Sequence, residues 1–391
     1  MKKLFFISII SLMFGFNLFA QAFKNPPEGA AALSQGGAFI SQSDDASAIT
    51  HNPAGLTQTK GQNFMLGSVV LYPITKAKTT AYKGYMEEAV AFLPYLFFST
   101  DLGEESPLRL GLGITFPYGQ STEWSDTAVR SWSYSVPYYS SMQTMNISPV
   151  VAYKITPSLS AGAGLNIYNS KLNMKYLLPL APPLDFPAKI DVEGTATGWI
   201  TGLLYKQQRY SMGLRYKSDF TVKYDGDCKM TGTELPAEMK INFPDNIGLG
   251  IAFFPNDSLK IEIDGEWFGY SSVKRIPVSI SGFPPYIERN WNDIYTIALG
   301  TEYKKSDRVK LRGGITYTPT PIPHSTWDPS LPDADSFVIT GGGEYSTQIG
   351  TFNILAGVHL FEQQKINKGE PYDGEYQSTG YFINLEYKKN F

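Results

Sequence analysis

Large apolar residues occupy alternate positions of the last segment: Tyr381, Ile383, Leu385, Tyr387 and Phe391 fall on one side, Asn384, Glu386, Lys388 and Asn390 on the other. A side-chain period of two is that of a β-strand. The pattern recurs. Leu108, Leu110, Leu112, Ile114 and Phe116 alternate with Arg109, Gly111, Gly113 and Thr115, and Leu159, Ala161, Ala163, Leu165 and Ile167 alternate with small or polar residues. It is sharpest where Leu259, Ile261, Ile263 and Trp267 alternate with Lys260, Glu262, Asp264 and Glu266. Four charges in succession cannot line a dry core. Alternation alone fits a soluble two-sheet sandwich as well as a barrel with an apolar outside.

The pattern predicts strands near 62–72, 90–99, 107–119, 142–154, 158–170, 195–205 and 209–220. A second set is predicted near 245–254, 258–268, 291–303, 308–318, 336–347, 350–362 and 380–391, fourteen in all. Connections alternate between short turns, such as Thr156-Pro157 and Pro255-Asn256-Asp257, and long loops. Short turns on one side and long loops on the other mark a meandering membrane barrel with both chain ends on the periplasmic side. An even count lets the last strand pair with the first, removing edges that lipid cannot satisfy. The fold class expected is therefore all-β, a 14-stranded antiparallel transmembrane barrel.

The remaining features decide between sandwich and barrel. Lys2 and Lys3, an apolar run over 4–19 and Ala20-Gln21-Ala22 have the form of a secretory signal, residues 1–22. Beyond it no run of about 18 apolar residues exists to form a helical span. Only 42% of residues are hydrophobic, yet 14% are aromatic, with 25 Tyr and 24 Phe. This suits strands with one polar face and aromatic girdles at both membrane interfaces. Removing the two lysines takes the net charge from −3 to −5, which excludes a nucleic-acid partner. Cys228 is the single cysteine, so there is no intramolecular disulfide.

Residues 23–61 do not alternate and are rich in Ala, Gly, Ser and Asp. Gly29 to Leu33 and Ser43 to Ile49 suit short helical turns, the second capped by Ser43 or Asp44. A fourteen-stranded barrel without a plug is wide enough to leak water, so this stretch is expected to sit in the lumen, followed by a barrel over 62–391.

Particular residues now resemble a known family. Asp44-Asp45-Ala46-Ser47 with His51-Asn52-Pro53-Ala54-Gly55-Leu56, then Phe243-Pro244-Asp245-Asn246-Ile247-Gly248-Leu249-Gly250 and Ile263-Asp264-Gly265-Glu266-Trp267, are similar to the FadL-type outer-membrane transporters of long-chain fatty acids and other hydrophobic compounds. So are Trp291-Asn292-Asp293, Leu311-Arg312-Gly313-Gly314-Ile315-Thr316-Tyr317 and Leu331-Pro332-Asp333-Ala334-Asp335, in that order. The start of the plug, Lys24-Asn25-Pro26-Pro27-Glu28, departs from the family pattern.

The resemblance implies a barrel with an N-terminal hatch in the outer membrane of a Gram-negative-type envelope, reached by Sec export. It implies passive uptake of a fatty acid or hydrocarbon by a monomer surrounded by lipid and lipopolysaccharide. The route would run from a groove between the third and fourth external loops, to a pocket against the hatch, to lateral exit at a kink in strand three. The third loop, 171–194, offers Tyr176, Leu177, Leu178, Leu180, Leu184 and Phe186 as a capture surface, and the fourth, 223–243, offers Met230 and Leu235. Packing of these leucines on the barrel rim is the structural alternative. Phe116-Pro117-Tyr118-Gly119 aligns with the kink: Pro117 lacks a ladder donor and Gly119 tolerates unusual dihedrals, although an ordinary strand end reads the same way. In the hatch, Asn52, Pro53 and Ala54 suit a turn before strand one, and Phe23 is the candidate for ligand contact. Lys171, Lys175, Lys189 and Lys223 are the cations available to a carboxylate.

Rival readings have less support. His51, His324 and His359 lie in no nucleophile motif, and one Cys with three scattered His makes no metal site. No catalytic residue, cofactor or metal is therefore expected. A general diffusion porin would not carry a plug, and a surface adhesin is compatible with the long loops.

Overall fold

The computed structural model describes residues 22–87, 90–103, 105–181 and 184–391; the signal sequence lies outside them. Fourteen long strands form the wall. They are β1 (Gln62–Thr79), β2 (Ala91–Asp101), β3 (Leu108–Glu123), β4 (Tyr139–Lys154), β5 (Leu159–Ala181), β6 (Leu184–Lys206) and β7 (Tyr210–Lys217), then β8 (Asn246–Asn256), β9 (Leu259–Phe268), β10 (Ile294–Lys304), β11 (Val309–Thr318), β12 (Ser336–Ser346), β13 (Thr351–Phe361) and β14 (Gly374–Asn390). Each pairs antiparallel with its neighbours, and β14 returns to β1 over the register Asn63↔Asn390 to Thr79↔Gly374. The sheet has no free end, as the hydrogen-bonding demand of a bilayer requires.

The alternation read from the sequence sorts as expected. In β14, Ile383 and Leu385 are about half exposed while Asn384 and Glu386 are buried; in β9, Ile263 points out and Glu262 and Asp264 are buried. The polar face looks onto protein rather than water, because the N-terminal segment packs against it.

Two expected loops are corrected. The stretches expected as the third and fourth loops are β-hairpins. The first is continuous strand, since β5 and β6 stay paired from Leu159↔Tyr205 to Ala181↔Leu184. The second is the hairpin Phe220–Met230 with Thr233–Phe243, and it zips onto the outer end of β6 through Ile190↔Cys228 and its neighbours. Alternation continues through both stretches, and backbone that protrudes beyond the membrane meets its hydrogen-bond demand within the sheet.

The N-terminal segment forms helices at Ala30–Ser34 and Ala48–His51 and a 3-10 turn at Pro53–Gln58. The cap of the second helix is not Ser43 or Asp44. Ser47 stands at that position, and the Asp45 carboxylate accepts from the Ser47 amide (2.9 Å) and hydroxyl (2.6 Å). Asn52 does close the turn: its Oδ1 accepts from the Ala54 amide at 3.2 Å, and its Nδ2 donates to the carbonyls of Ile40 (2.9 Å) and Leu203 (3.0 Å).

Candidate functional site

The wall has one local departure from full pairing that involves the N-terminal segment. β2 and β3 pair only from Asp101↔Arg109 to Leu96↔Ile114. Beyond Ile114, β3 remains paired with β4, with a register shift between Thr115 and Tyr118, while β2 continues against β1 as far as Ala91. The edge of β3 that β2 leaves is taken by the chain's own beginning. Gly119 donates its amide to the Phe23 carbonyl at 2.8 Å, and the Asn25 amide donates to the Pro117 carbonyl at 2.9 Å. Asn25 Nδ2 also donates to the Phe116 carbonyl at 2.7 Å, and Lys24 bridges to Tyr118. Phe116, Pro117, Tyr118 and Gly119 thus lie together at the departure, and β3 runs on to Glu123 rather than ending at them. Pro117 has no N–H to leave unpaired there, which makes it the residue suited to a strand edge.

Behind this contact the segment is held at many points. The Asp264 carboxylate accepts from the amides of Phe39 (2.8 Å) and Ile40 (2.9 Å), and Glu262 accepts from Ser41 (2.6 Å) and Gln42 (3.0 Å). Adjacent inward acids on one strand therefore bind four consecutive amides. Close approach elsewhere depends on glycine: a Cβ on Gly314 would sit 2.0 Å from the backbone of Gln35. Asp44 and Asp45 end a ladder of charge across the strands. Asp44 pairs with Lys260 (2.6 Å), Lys260 with Glu302 (3.0 Å), Arg312 with both Glu302 (2.6 Å) and Glu344 (2.8 Å), and Lys388 with Glu344 (2.8 Å) and Asp45 (3.9 Å).

A cavity of about 110 Å³ lies between the segment and the wall, reaching Pro117 and Tyr118. Leu33, Leu71, Val338, Phe268 and Phe382 supply apolar lining. Its charged lining is Lys24, Arg215 and Lys217 against Glu28 and Glu266. Arg215 bonds Glu266 and Asn246 through Nη2, and its Nε has no partner among the described residues. Lys24 sits 3.9 Å from Glu266 and 4.4 Å over the Phe268 ring. Lys217 has no salt-bridge partner among the described residues. Burial raises the Glu28 carboxyl above its ordinary range and holds His51 down near 3, so the imidazole is neutral. His51 Nε2 is 2.7 Å from the Glu28 carbonyl.

Beside the cavity stands a stack of rings. Tyr168 lies 3.8 Å from Phe220, Phe220 4.6 Å from Phe243, and Tyr118 5.0 Å from Phe243. Phe23 inserts between Phe243 (5.8 Å) and Trp291 (5.0 Å). The hairpin residues expected to capture ligand are distributed more widely. Leu177 is buried in this aromatic cluster, with Tyr176, Leu178, Met230 and Leu235 against it; Phe186 is half-buried and Leu184 is exposed. The Leu180 side chain lies outside the described structure.

The expected cations are not at the cavity. Lys171 and Lys189 make surface pairs with Glu193 (3.5 Å) and Asp191 (2.6 Å), Lys175 covers the Tyr139 ring at 4.4 Å, and Lys223 is exposed. Arg215 and Lys217 take that place. Parity was the available signal, since Ser211, Gly213, Arg215 and Lys217 share the inward face of β7.

These features define a closed fourteen-stranded antiparallel β-barrel with the N-terminal segment packed against its inward-facing residues. A family model described as "Outer membrane protein transport protein (OMPP1/FadL/TodX)" matches residues 5–391, and the chain belongs to that family. It is accordingly an outer-membrane transporter of the FadL/TodX type rather than an enzyme. Relatives include a long-chain fatty acid transport protein of Escherichia coli (strain K12), 23% identical with 89% of each chain covered. Outer membrane protein P1 of Haemophilus influenzae is 21% identical, covering 88% of this chain and 90% of that one. Among solved structures, a Pseudomonas aeruginosa FadL homologue matches with a TM-score of 0.84 at 18% identity, over 95% of this chain and 100% of that one. The P. putida toluene transporter TodX matches at 0.72 and 19%, over 94% and 99%.

Proposed function

We propose that this protein takes up long-chain carboxylate amphiphiles passively. In this reading they collect at the apolar external hairpins, lodge head-first in the cavity against the hatch formed by residues 23–61, and leave sideways where β3 parts from β2. The observation that carries the reading is the edge of β3 that β2 leaves beyond Ile114, closed by hatch backbone and adjoining the cavity at Pro117 and Tyr118. Hatch backbone is the cheapest closure to open, because a short pairing of a terminal segment breaks without disturbing the ring of strands. An apolar ligand leaving through the wall never crosses periplasmic water, and its own gradient supplies the direction.

The curated relatives named for long-chain fatty acids and the solved neighbours named for toluene leave the ligand class open between charged and neutral. The cavity lining favours charged. Three basic side chains against two acids leave a formal positive excess. A buried excess charge is costly until an opposite charge arrives. Lys217 and the free Arg215 Nε are the donors best suited to a carboxylate.

Binding to the purified protein in lipid nanodiscs tests this. Dodecanoate is expected to bind at least tenfold more tightly than dodecanol, with Lys217→Met removing the preference and Lys217→Arg keeping it. Equal affinity for both probes overturns the carboxylate assignment, and failure of both to bind overturns the cavity as the ligand site.

A further inference from the structure

The connection between β11 and β12, residues 319–335, does not extend outward as a loop. Trp327 is fully buried, and Ile322 and Leu331 join it in the same apolar cluster as Trp124, Trp132, Ile276 and Tyr372 from three other external connections. The Trp327 ring lies 4.6 Å from Tyr376, and its indole N–H donates to the Asp333 carbonyl at 2.9 Å, fixing the segment's own fold. Arg289 pairs with Asp328 at 2.7 Å, and Lys368 Nζ donates to the Trp327 carbonyl at 2.7 Å, so cations from both flanking connections clamp it.

Two further bonds run to the outer end of β3 and the residue after it. Trp124 Nε1 donates to the Pro329 carbonyl at 2.8 Å, and Thr122 Oγ1 donates to the Ser330 carbonyl at 2.9 Å. The buried Asp333 carboxylate accepts from Thr320 Oγ1 at 2.7 Å within the segment. Asp333 Oδ1 has no partner among the described residues. The same segment therefore packs among the external connections and grips the chain just above Gly119, the residue whose amide holds the Phe23 carbonyl.

We propose that residues 319–335 form an external lid coupled to the lateral opening, a second stopper beyond the hatch. In the closed state it blocks access from outside and holds the Phe23–Gly119 pairing. Displacement of the lid from the aromatic cluster releases the Thr122 and Trp124 bonds together, so outer access and wall opening rise in step. The two-state element is the buried Trp327, which is either packed on Tyr376 or withdrawn.

Two measurements test the coupling, both on the full protein with Cys228→Ser. Oxidising Thr122→Cys with Ser330→Cys pins the lid; dodecanoate and toluene uptake by cells is expected to fall at least tenfold and to return on reduction. Trp327→Ala loosens the lid; hydrogen exchange is expected to speed at least tenfold at residues 23–25 and at Gly119, with 39–42 unchanged. Uptake that persists in the oxidised protein overturns the lid, and faster exchange confined to 319–335 overturns its coupling to the wall. If the cysteine pair fails to fold, the Trp327→Ala exchange pattern decides alone.

Discussion

The Gly119 amide donates to the Phe23 carbonyl at 2.8 Å, so the chain's beginning stands as a surrogate strand on the edge of β3 that β2 leaves. A membrane wall cannot leave such an edge bare, because each unsatisfied backbone group in hydrocarbon costs several kcal/mol. The segment that lines the cavity, through Lys24 and Asn25, is also the one that completes the wall beside β3.

Locking that pairing should stop transport without unfolding the barrel. Cysteines replacing Asn25 and Pro117, with Cys228→Ser, sit on directly paired backbone, within disulfide reach. Oxidation is expected to abolish dodecanoate uptake and reduction to restore it, with gel mobility of the folded barrel unchanged. Undiminished uptake after complete oxidation would show that the ligand leaves elsewhere.

The acids of β9 should hold the hatch in place. Asp264→Ala leaves the Phe39 and Ile40 amides without their acceptor, at a cost of about 1–3 kcal/mol. Faster hydrogen exchange over 39–42 and larger, more frequent conductance events in planar bilayers are expected. Removing Glu262 as well should go further, since four amides then lose their partners.

Arg312 is the hinge of the charge ladder, contacting Glu302 and Glu344 with its side chain only 2% exposed. Arg312→Ala takes the central cation from two buried carboxylates and leaves each with lysine partners alone, and breaking a buried network in this way costs about 3–5 kcal/mol. A lower thermal midpoint in detergent is expected. Arg312→Met with Glu302→Gln and Glu344→Gln should recover part of the loss, because the two acids that lose Arg312 are then neutral, while Lys260 and Lys388 keep Asp44 and Asp45.

The lid should loosen as pH rises. Burial pushes the Asp333 carboxyl up to about 7, against the lowering effect of the bond from Thr320, with neighbouring Asp335 adding to the rise. A folded value above the unfolded one near 4 means that the closed state binds the proton more tightly. The resulting stabilisation is complete below about pH 4 and is lost as pH climbs through 7. Exchange at 319–335 is expected to speed between pH 5 and 8 beyond its intrinsic base catalysis, and Asp333→Asn should remove that excess.

Much of this molecule was legible in the residues alone. Period-two alternation fixed fourteen wall strands, and it assigned Ile383 and Leu385 outward and Asn384 and Glu386 inward. These are local properties, in which residue type and parity suffice. Only the tertiary structure decided what the inward faces meet. That Glu262 and Asp264 bind hatch amides, that Arg215 and Lys217 rather than the outer lysines reach the cavity, that two expected loops are strands, and that 319–335 turns inward all depend on groups distant in sequence. Barrel closure brings those groups together, and burial then demands partners for their charges and amides, which no spacing along the chain specifies.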